Sequence, residues 1–252
     1  VYEAGDGVGG TWYWNRYPGA RFDSESYSYH YAFSQDLLDE WNWSEHFAAQ
    51  PETLRYVNFV ADKLELRTDI RFNTYIQGAR FDEGSKRWTV LTNEGELAQS
   101  RFLITAIGPL SVPTMPNIDG VDDFSGEAFH TGYWPQQAVK FEGKRVAVIG
   151  TGATAVQLIQ EVAKTAGKLT VFQRNPNWCA PLNNSPIADS EQSEIHARYA
   201  EVFALCRASH GAFMHTADAR NALDLSKEER DEVYEKLYGE PGFGIWMGNF
   251  RD

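Results

Sequence analysis

The sequence predicts an α/β protein built from Rossmann-like dinucleotide units, and three observations carry that reading. An apolar run from Val146 to Ile149 turns through Gly150-Thr151-Gly152-Ala153-Thr154-Ala155 into a helical pattern that stops at Gly167, before a second apolar run from Leu169 to Phe172. Strand, glycine turn, helix and strand thus follow in the order a nucleotide unit needs. At the other end, Val1-Tyr2-Glu3 reads as the close of a strand ending in an acid, followed by a segment rich in glycine and tryptophan. Between the two, period-two runs separated by turn residues predict an antiparallel meander.

From the N-terminus, Glu3 has two readings. It is an incidental surface carboxylate, or the acid that ends the second strand of a dinucleotide fold and hydrogen-bonds the adenosine ribose. Such an acid follows its glycine turn by roughly 20 residues, and no such turn precedes Glu3 here. Gly9-Gly10-Thr11-Trp12-Tyr13-Trp14 favours the second reading. Glycines let backbone approach a flat ring or a phosphate, and the indoles supply broad apolar surface. Asp23, taken alone, also reads as a turn or capping carboxylate, and Arg21 either faces a nicotinamide nucleotide or is an exposed cation.

Residues 34–50 carry no clear period and read as short helical turns and loop. Pro51-Glu52 opens a helix whose apolar face is Leu54, Val57, Val60, Ala61 and Leu64, with proline at a position that needs no N–H and an acid at the positive end of the dipole. Strands are expected at Ile70–Asn73, Tyr75–Phe81, Arg87–Thr92 and Phe102–Ala106, with Asp82-Glu83-Gly84-Ser85 and Asn93-Glu94-Gly95 as turns. Dense Pro and Gly from Gly108 to Gly120 mark a boundary.

In the glycine turn, Gly150 permits the bend, Gly152 admits a pyrophosphate to bare backbone and Ala155 lets the helix, expected over Ala153–Ala166, lie close to the strand. Arg174 stands where an NAD-binding unit carries an acid for the ribose 2'-hydroxyl. A cation there suits a 2'-phosphate, hence NADP, with Asn175 beside it. Beyond, a helix is expected from Ser190 with Ile195, Tyr199, Val202, Phe203 and Cys206 on one stripe, and another after the capping box Ser226-Lys227-Glu228-Glu229.

Two segments carry a family resemblance. Phe124-x-Gly126-x-x-x-His130-x-x-x-Trp134-Pro135, directly before the glycine turn, resembles the fingerprint of the Baeyer-Villiger monooxygenases. Gly9-Gly10-Thr11-Trp12 followed by Tyr17-Pro18-Gly19 and Asp23 resembles that family's second signature. The resemblance implies a flavoprotein with FAD and NADP domains, both incomplete here: an FAD domain over 1–112, an NADP domain with its linker and fingerprint over 113–182, and a helical insertion over 183–252. It further implies that Asp23 lies near the reactive edge of the flavin and helps a catalytic arginine hold its charge, that Tyr29 lies beside the cofactor, and that the backbone near Ile76 meets the adenine. The fingerprint is expected at the hinge between the two cofactors.

The implied activity uses NADPH and FAD to insert one atom of dioxygen beside a ketone carbonyl, giving an ester or lactone. The alternatives are a flavin monooxygenase oxidising amines or sulfides, against which Trp134-Pro135 speaks, and an NADP-binding module without turnover. The first glycine loop is expected before Glu3 and the family's catalytic arginine after Asp252. The chain is therefore expected to be a fragment that holds FAD poorly and does not oxygenate alone.

Composition bounds the partners. A net charge of −12 argues against nucleic acid and anionic membrane surfaces, leaving a small ketone and dioxygen as the expected partners. Cys179 and Cys206 form neither a disulfide framework nor a Cys-x-x-Cys pair, which fits a reduced, cytoplasmic setting. No His or Cys spacing expected of a metal site occurs.

Overall fold

The structure, a computed structural model, describes residues 1–250. The chain forms two compact units: Val1–Tyr17 with Thr53–Lys140, and Pro18–Glu52 with Phe141–Asp252. These lines differ from the sequence-based division at 112 and 182, because compactness follows contacts and not the cofactor each segment would serve.

In the first unit, Val1–Glu3 runs beside Arg71, with the Arg71 N–H donating to Val1 O at 2.8 Å and the Glu3 N–H to Arg71 O at 3.0 Å. This is a single parallel bridge, Tyr2 to Arg71. The strand expected at Ile70–Asn73 is thus reduced to one paired residue, since Asn73 adopts a left-handed φ of 54° that ends the extended backbone. Helix α1 (Thr11–Trp14) follows the glycine pair.

After α2 (Gln35–Glu40) of the second unit comes helix α3 (Gln50–Lys63), whose residues from Thr53 on belong to the first unit. Within the first unit it buries Thr53, Tyr56, Val60 and Ala61. Leu64, expected on the apolar face, is exposed, because the helix stops at Lys63.

The meander is β1 (Ile76–Asp82), β2 (Arg87–Thr92) and β3 (Leu97–Ser100), in that order and antiparallel. The first two match expectation within a residue. The third does not: the turn at Asn93–Gly95, with Gly95 at φ 80°, sets Leu97 opposite Leu91, so the ladder forms at once instead of at Phe102–Ala106. Among the described residues nothing pairs with Phe102–Ala106, and an apolar run without a partner makes no ladder.

The second unit holds the nucleotide motif. Strands β4 (Arg145–Ile149) and β5 (Lys168–Phe172) pair in parallel, Val148 opposite Val171, with α4 (Ala153–Val162) between them. The helix ends four residues earlier than expected. The N–H of Thr165 turns to Val162 O at 3.2 Å, and Gly167 lies against the Gly143 backbone, 2.6 Å from where a Cβ would sit.

Helix α5 (Asp189–Ala208) buries Tyr199, Val202, Phe203 and Cys206, the expected stripe. Tyr199 and Phe203 form a cluster with Leu38 of α2, against which Tyr27 and Ile195 pack. Helix α6 (Lys227–Gly239) opens on the expected capping box, with both Ser226 and Glu229 engaged, and α7 (Gly244–Met247) follows. Among the described residues no helix is long and apolar enough to cross a membrane.

His30 lies inside this second core, its Nδ1 2.6 Å from the Tyr199 hydroxyl. Burial first, then His196, pushes its pKa from 6.5 down to about 3. The folded state keeps the imidazole neutral while the unfolded chain takes up a proton below 6.5, so this contribution is present above 6.5 and lost as pH falls toward 3. His215 acts oppositely: its hydrogen bond to Glu25 raises its pKa, and its contribution is lost as pH rises through that raised value. Denaturant titrations across pH 3–7 are expected to show unfolding free energy falling on acidification by up to about 1.4 kcal/mol per pH unit from His30. In His30→Asn that component disappears, and an unchanged slope would refute it.

Candidate functional site

The glycine turn joins β4 to α4 with the geometry the sequence demands. Gly150 takes φ 108° and donates its N–H to Phe172 O at 2.9 Å, a backbone L-side chains avoid. Gly152 is the N-cap of α4, and no side chain caps it. A Cβ at Gly150 or Gly152 would meet nothing within 4 Å. Bare backbone therefore faces open space at the positive end of a helix, where first-turn N–H groups lack intrahelical acceptors. A pyrophosphate fits this cradle. Ala153, Thr154 and Ala155 form the helix's first turn.

The turn is braced from the loop after β5. Gln173 Nε2 donates to Thr151 Oγ1 at 3.1 Å, and Asn177 Nδ2 donates to Thr151 O at 2.5 Å. Arg174 and Asn175 lie exposed between these two braces. Sequence reasoning singled out Arg174 but missed Gln173 and Asn177, whose polar character beside an apolar strand was the available signal.

In the first unit, Gly9 and Gly10 have φ 131° and 51°, and their carbonyls accept the N–H groups of Trp12 and Tyr13, starting the short helix Thr11–Trp14. Thr11 and Trp14 are exposed and Trp12 is half-buried, whereas Tyr13 points inward. The Tyr13 hydroxyl donates to Asp6 Oδ1 at 2.5 Å, which ties the loop ahead of Gly9 to the helix. That hydrogen bond, followed by burial, raises the Tyr13 pKa. Glu3 turns one carboxylate oxygen to the Gly5 N–H at 2.7 Å, and its carbonyl accepts from the Thr74 N–H at 2.9 Å. Ile76, two residues on, begins β1 and is exposed.

The fingerprint also belongs to the first unit. Phe124 is exposed, and a Cβ at Gly126 would sit 2.5 Å from its ring. His130 caps the 3-10 turn Thr131–Tyr133, its Nδ1 accepting the Gly132 N–H at 3.1 Å. An accepting Nδ1 leaves Nε2 as the protonated nitrogen of the neutral ring. Trp134 and Pro135 are half-buried, and the Phe129 and Trp134 ring centroids lie 5.6 Å apart.

Asp23 stands in the second unit, on a segment laid against α4. Gly19, at φ 85°, approaches the helix so closely that a Cβ there would be 2.5 Å from Gln157 O and 3.0 Å from Glu161 Cγ. This approach lets Gln157 Nε2 donate to Asp23 Oδ1 at 3.0 Å and to Arg21 O at 3.3 Å. Arg21 turns its guanidinium toward Glu45, at 3.5 Å, and Phe47 O. Burial raises the Asp23 pKa above the ordinary carboxylate value, opposed by the Gln157 hydrogen bond and then by Arg21. Phe22 beside it is buried and packs on Tyr29 with centroids 4.1 Å apart, and Tyr29 keeps an exposed face. The arrangement sets a half-buried carboxylate against one neutral amide donor, burial disfavouring its charged form and the hydrogen bond favouring it. Gln157 carried no sequence signal, being one polar residue in a helical pattern.

The family profile described as pyridine nucleotide-disulphide oxidoreductase matches residues 20–219. The chain is 50% identical over 256 residues to the 2-oxo-Delta(3)-4,5,5-trimethylcyclopentenylacetyl-CoA monooxygenase of Pseudomonas putida, covering 99% of this chain and 47% of that protein. It is 42% identical over 253 residues to the acetone monooxygenase (methyl acetate-forming) of Gordonia sp. strain TY-5, covering 100% of this chain and 47% of that one. A crystal structure of OTEMO in complex with FAD and NADP superposes with a TM-score of 0.95 at 50% identity, over 100% of this chain and 48% of that chain. The chain spans about half the length of the curated relatives it matches. The resemblance expected from the two signatures holds, as does the α/β dinucleotide-binding fold class.

The Gly19 contact is directly testable. Gly19→Ala is expected to destabilise the fold by about 1–3 kcal/mol, through both the clash with a backbone carbonyl and the positive φ. Thermal unfolding followed by circular dichroism checks it, and a melting temperature equal to wild type would contradict the packing.

Proposed function

Because the chain belongs to the pyridine nucleotide-disulphide oxidoreductase family, we propose that the protein is an FAD- and NADPH-dependent Baeyer-Villiger monooxygenase, inserting one atom of dioxygen beside a ketone carbonyl to give an ester or lactone. The observation that carries the reading is Asp23: the acid of one signature is hydrogen-bonded to the helix that opens on the glycine turn. In this reading residues 1–112 serve FAD, residues 113–182 serve NADP and residues 183–252 are a helical insertion. The substrate is a small ketone, with dioxygen as co-substrate, and the setting is cytoplasmic.

FAD and NADPH, when bound, supply the electrons that activate dioxygen. The chain's own residues do the holding. Gly150 and Gly152 offer backbone to a pyrophosphate at the head of α4, and Arg174 with Asn175 meets the 2'-phosphate. Glu3 accepts from a ribose hydroxyl, with Ile76 near the adenine. Gly9, Gly10, Thr11, Trp12, Tyr13 and Trp14 form the glycine-aromatic bend for the flavin side, and Tyr29 offers it a ring face. Asp23 supplies a fixed negative charge for a cationic partner at the reacting centre. The fingerprint, Phe124, Gly126, His130, Trp134 and Pro135, presents His130 with Nε2–H as a donor.

Anaerobic addition of NADPH to the flavin-loaded intact protein is expected to bleach the flavin absorbance. Admission of air with a ketone is then expected to yield ester or lactone. No bleaching would leave only a nucleotide-binding module, and oxidation of a thioether without any ester from ketones would move the protein to the amine- and sulfide-oxidising group.

Arg174→Ala tests the nucleotide choice. One lost charge-assisted contact is expected to raise KM for NADPH about 10- to 100-fold, with less than about a twofold change for NADH. Steady-state kinetics with both nucleotides decides, and an equal loss for the two would place Arg174 away from the 2'-phosphate.

A further inference from the structure

We propose that Gln157 is a positioning residue that acts through Asp23, so that the helix receiving the dinucleotide at its head also orients the acid that faces the reacting centre. The proposal rests on the reading of Asp23 given above. Gln157 lies one turn beyond Ala153, the first residue of α4, and positions four apart share a helix face. Its side chain therefore leaves the face that begins at the glycine turn. At its far end one amide nitrogen, with two hydrogens, meets two acceptors of the signature segment, Asp23 Oδ1 at 3.0 Å and Arg21 O at 3.3 Å. Two oxygen acceptors fix which way the amide faces, since its carbonyl oxygen could bond neither.

The charges around Asp23 give this neutral donor its weight. Arg21 is on the same segment, but its guanidinium is engaged by Glu45 and Phe47 O. On α4, Glu161 lies against Gly19 and carries its own partner, Lys164, at 2.7 Å. Among these groups the amide of Gln157 donates directly to the Asp23 carboxylate. A hydrogen bond to the ionised form favours ionisation, whereas burial opposes it. The two act in opposite directions on this carboxylate, and a neutral donor leaves it available to a cationic partner where a bound cation would not.

A merely structural role is the competing account, since Gln157 also bonds the Arg21 carbonyl. The test uses the intact, flavin-loaded enzyme and follows the pH dependence of kcat/KM for a ketone in Gln157→Leu, Gln157→Glu, Asp23→Asn and the double variant Gln157→Leu/Asp23→Asn. In Gln157→Leu the acid limb is expected to move up by about one pH unit, the equivalent of one lost hydrogen bond to a charged group. Gln157→Glu should move it further. In Asp23→Asn the limb should vanish, and the double variant should be no slower than Asp23→Asn. KM for NADPH should stay within about twofold throughout.

An acid limb lost in Asp23→Asn but unmoved in Gln157→Leu overturns the role of Gln157 and leaves that of Asp23. A limb that persists in Asp23→Asn overturns both. Gln157→Glu, close to Gln in size, carries the test if Gln157→Leu fails to fold.

Discussion

The second unit is organised by one missing side chain. At Gly19 the backbone of the signature segment comes so near α4 that any Cβ would lie 2.5 Å from the Gln157 carbonyl. With φ at 85° the position would be strained for other residues even without the helix. From that contact the rest follows: the segment Ala20–Phe22 pairs with residues 48–50, Phe22 is buried, and Asp23 is delivered to the Gln157 amide. A close backbone approach of this kind fixes position more sharply than side-chain packing, because backbone on both sides cannot repack by changing rotamer.

The two candidate cofactor regions hold their geometry by different means. At the glycine turn, open space is kept by the lack of side chains at Gly150 and Gly152, and the backbone is braced by Gln173 and Asn177 on Thr151. At the Gly9-Gly10 bend the brace is an inward tyrosine whose hydroxyl binds Asp6. In each case a few side chains spend their hydrogen bonds holding a loop in shape, and a ligand would meet backbone already ordered. That saves the ordering entropy at the moment of binding.

Much of the local structure was legible because it follows from short-range rules. The Ser226/Glu229 capping box marked the start of α6, and turn residues on either side of Arg87–Thr92 marked β2. Where sequence reasoning placed strands at Ile70–Asn73 and Phe102–Ala106, it relied on apolar character alone. Pairing is a property of two segments. Leu97–Ser100 became a strand because a tight turn set it opposite Leu91, although its own sequence is unremarkable for a strand. The end of α4 departs from expectation for a related reason: the helix stops at Val162 and the chain then turns to bring Gly167 against the Gly143 backbone, a contact between separate segments that the glycine alone does not encode.

What the sequence by itself determined is the set of backbone-dictated features: the glycine turn between two apolar runs, the α/β class, the two signatures and the helix caps. Each depends on residues close together in the chain, so spacing is enough to read it. Only the tertiary structure decided the partners of the charged and polar groups: Gln157 with Asp23, Gln173 and Asn177 with Thr151, and a neutral His30 against Tyr199. Residues from 22 to 169 positions apart meet there, and hydrogen bonding and desolvation depend on distances that no local pattern encodes.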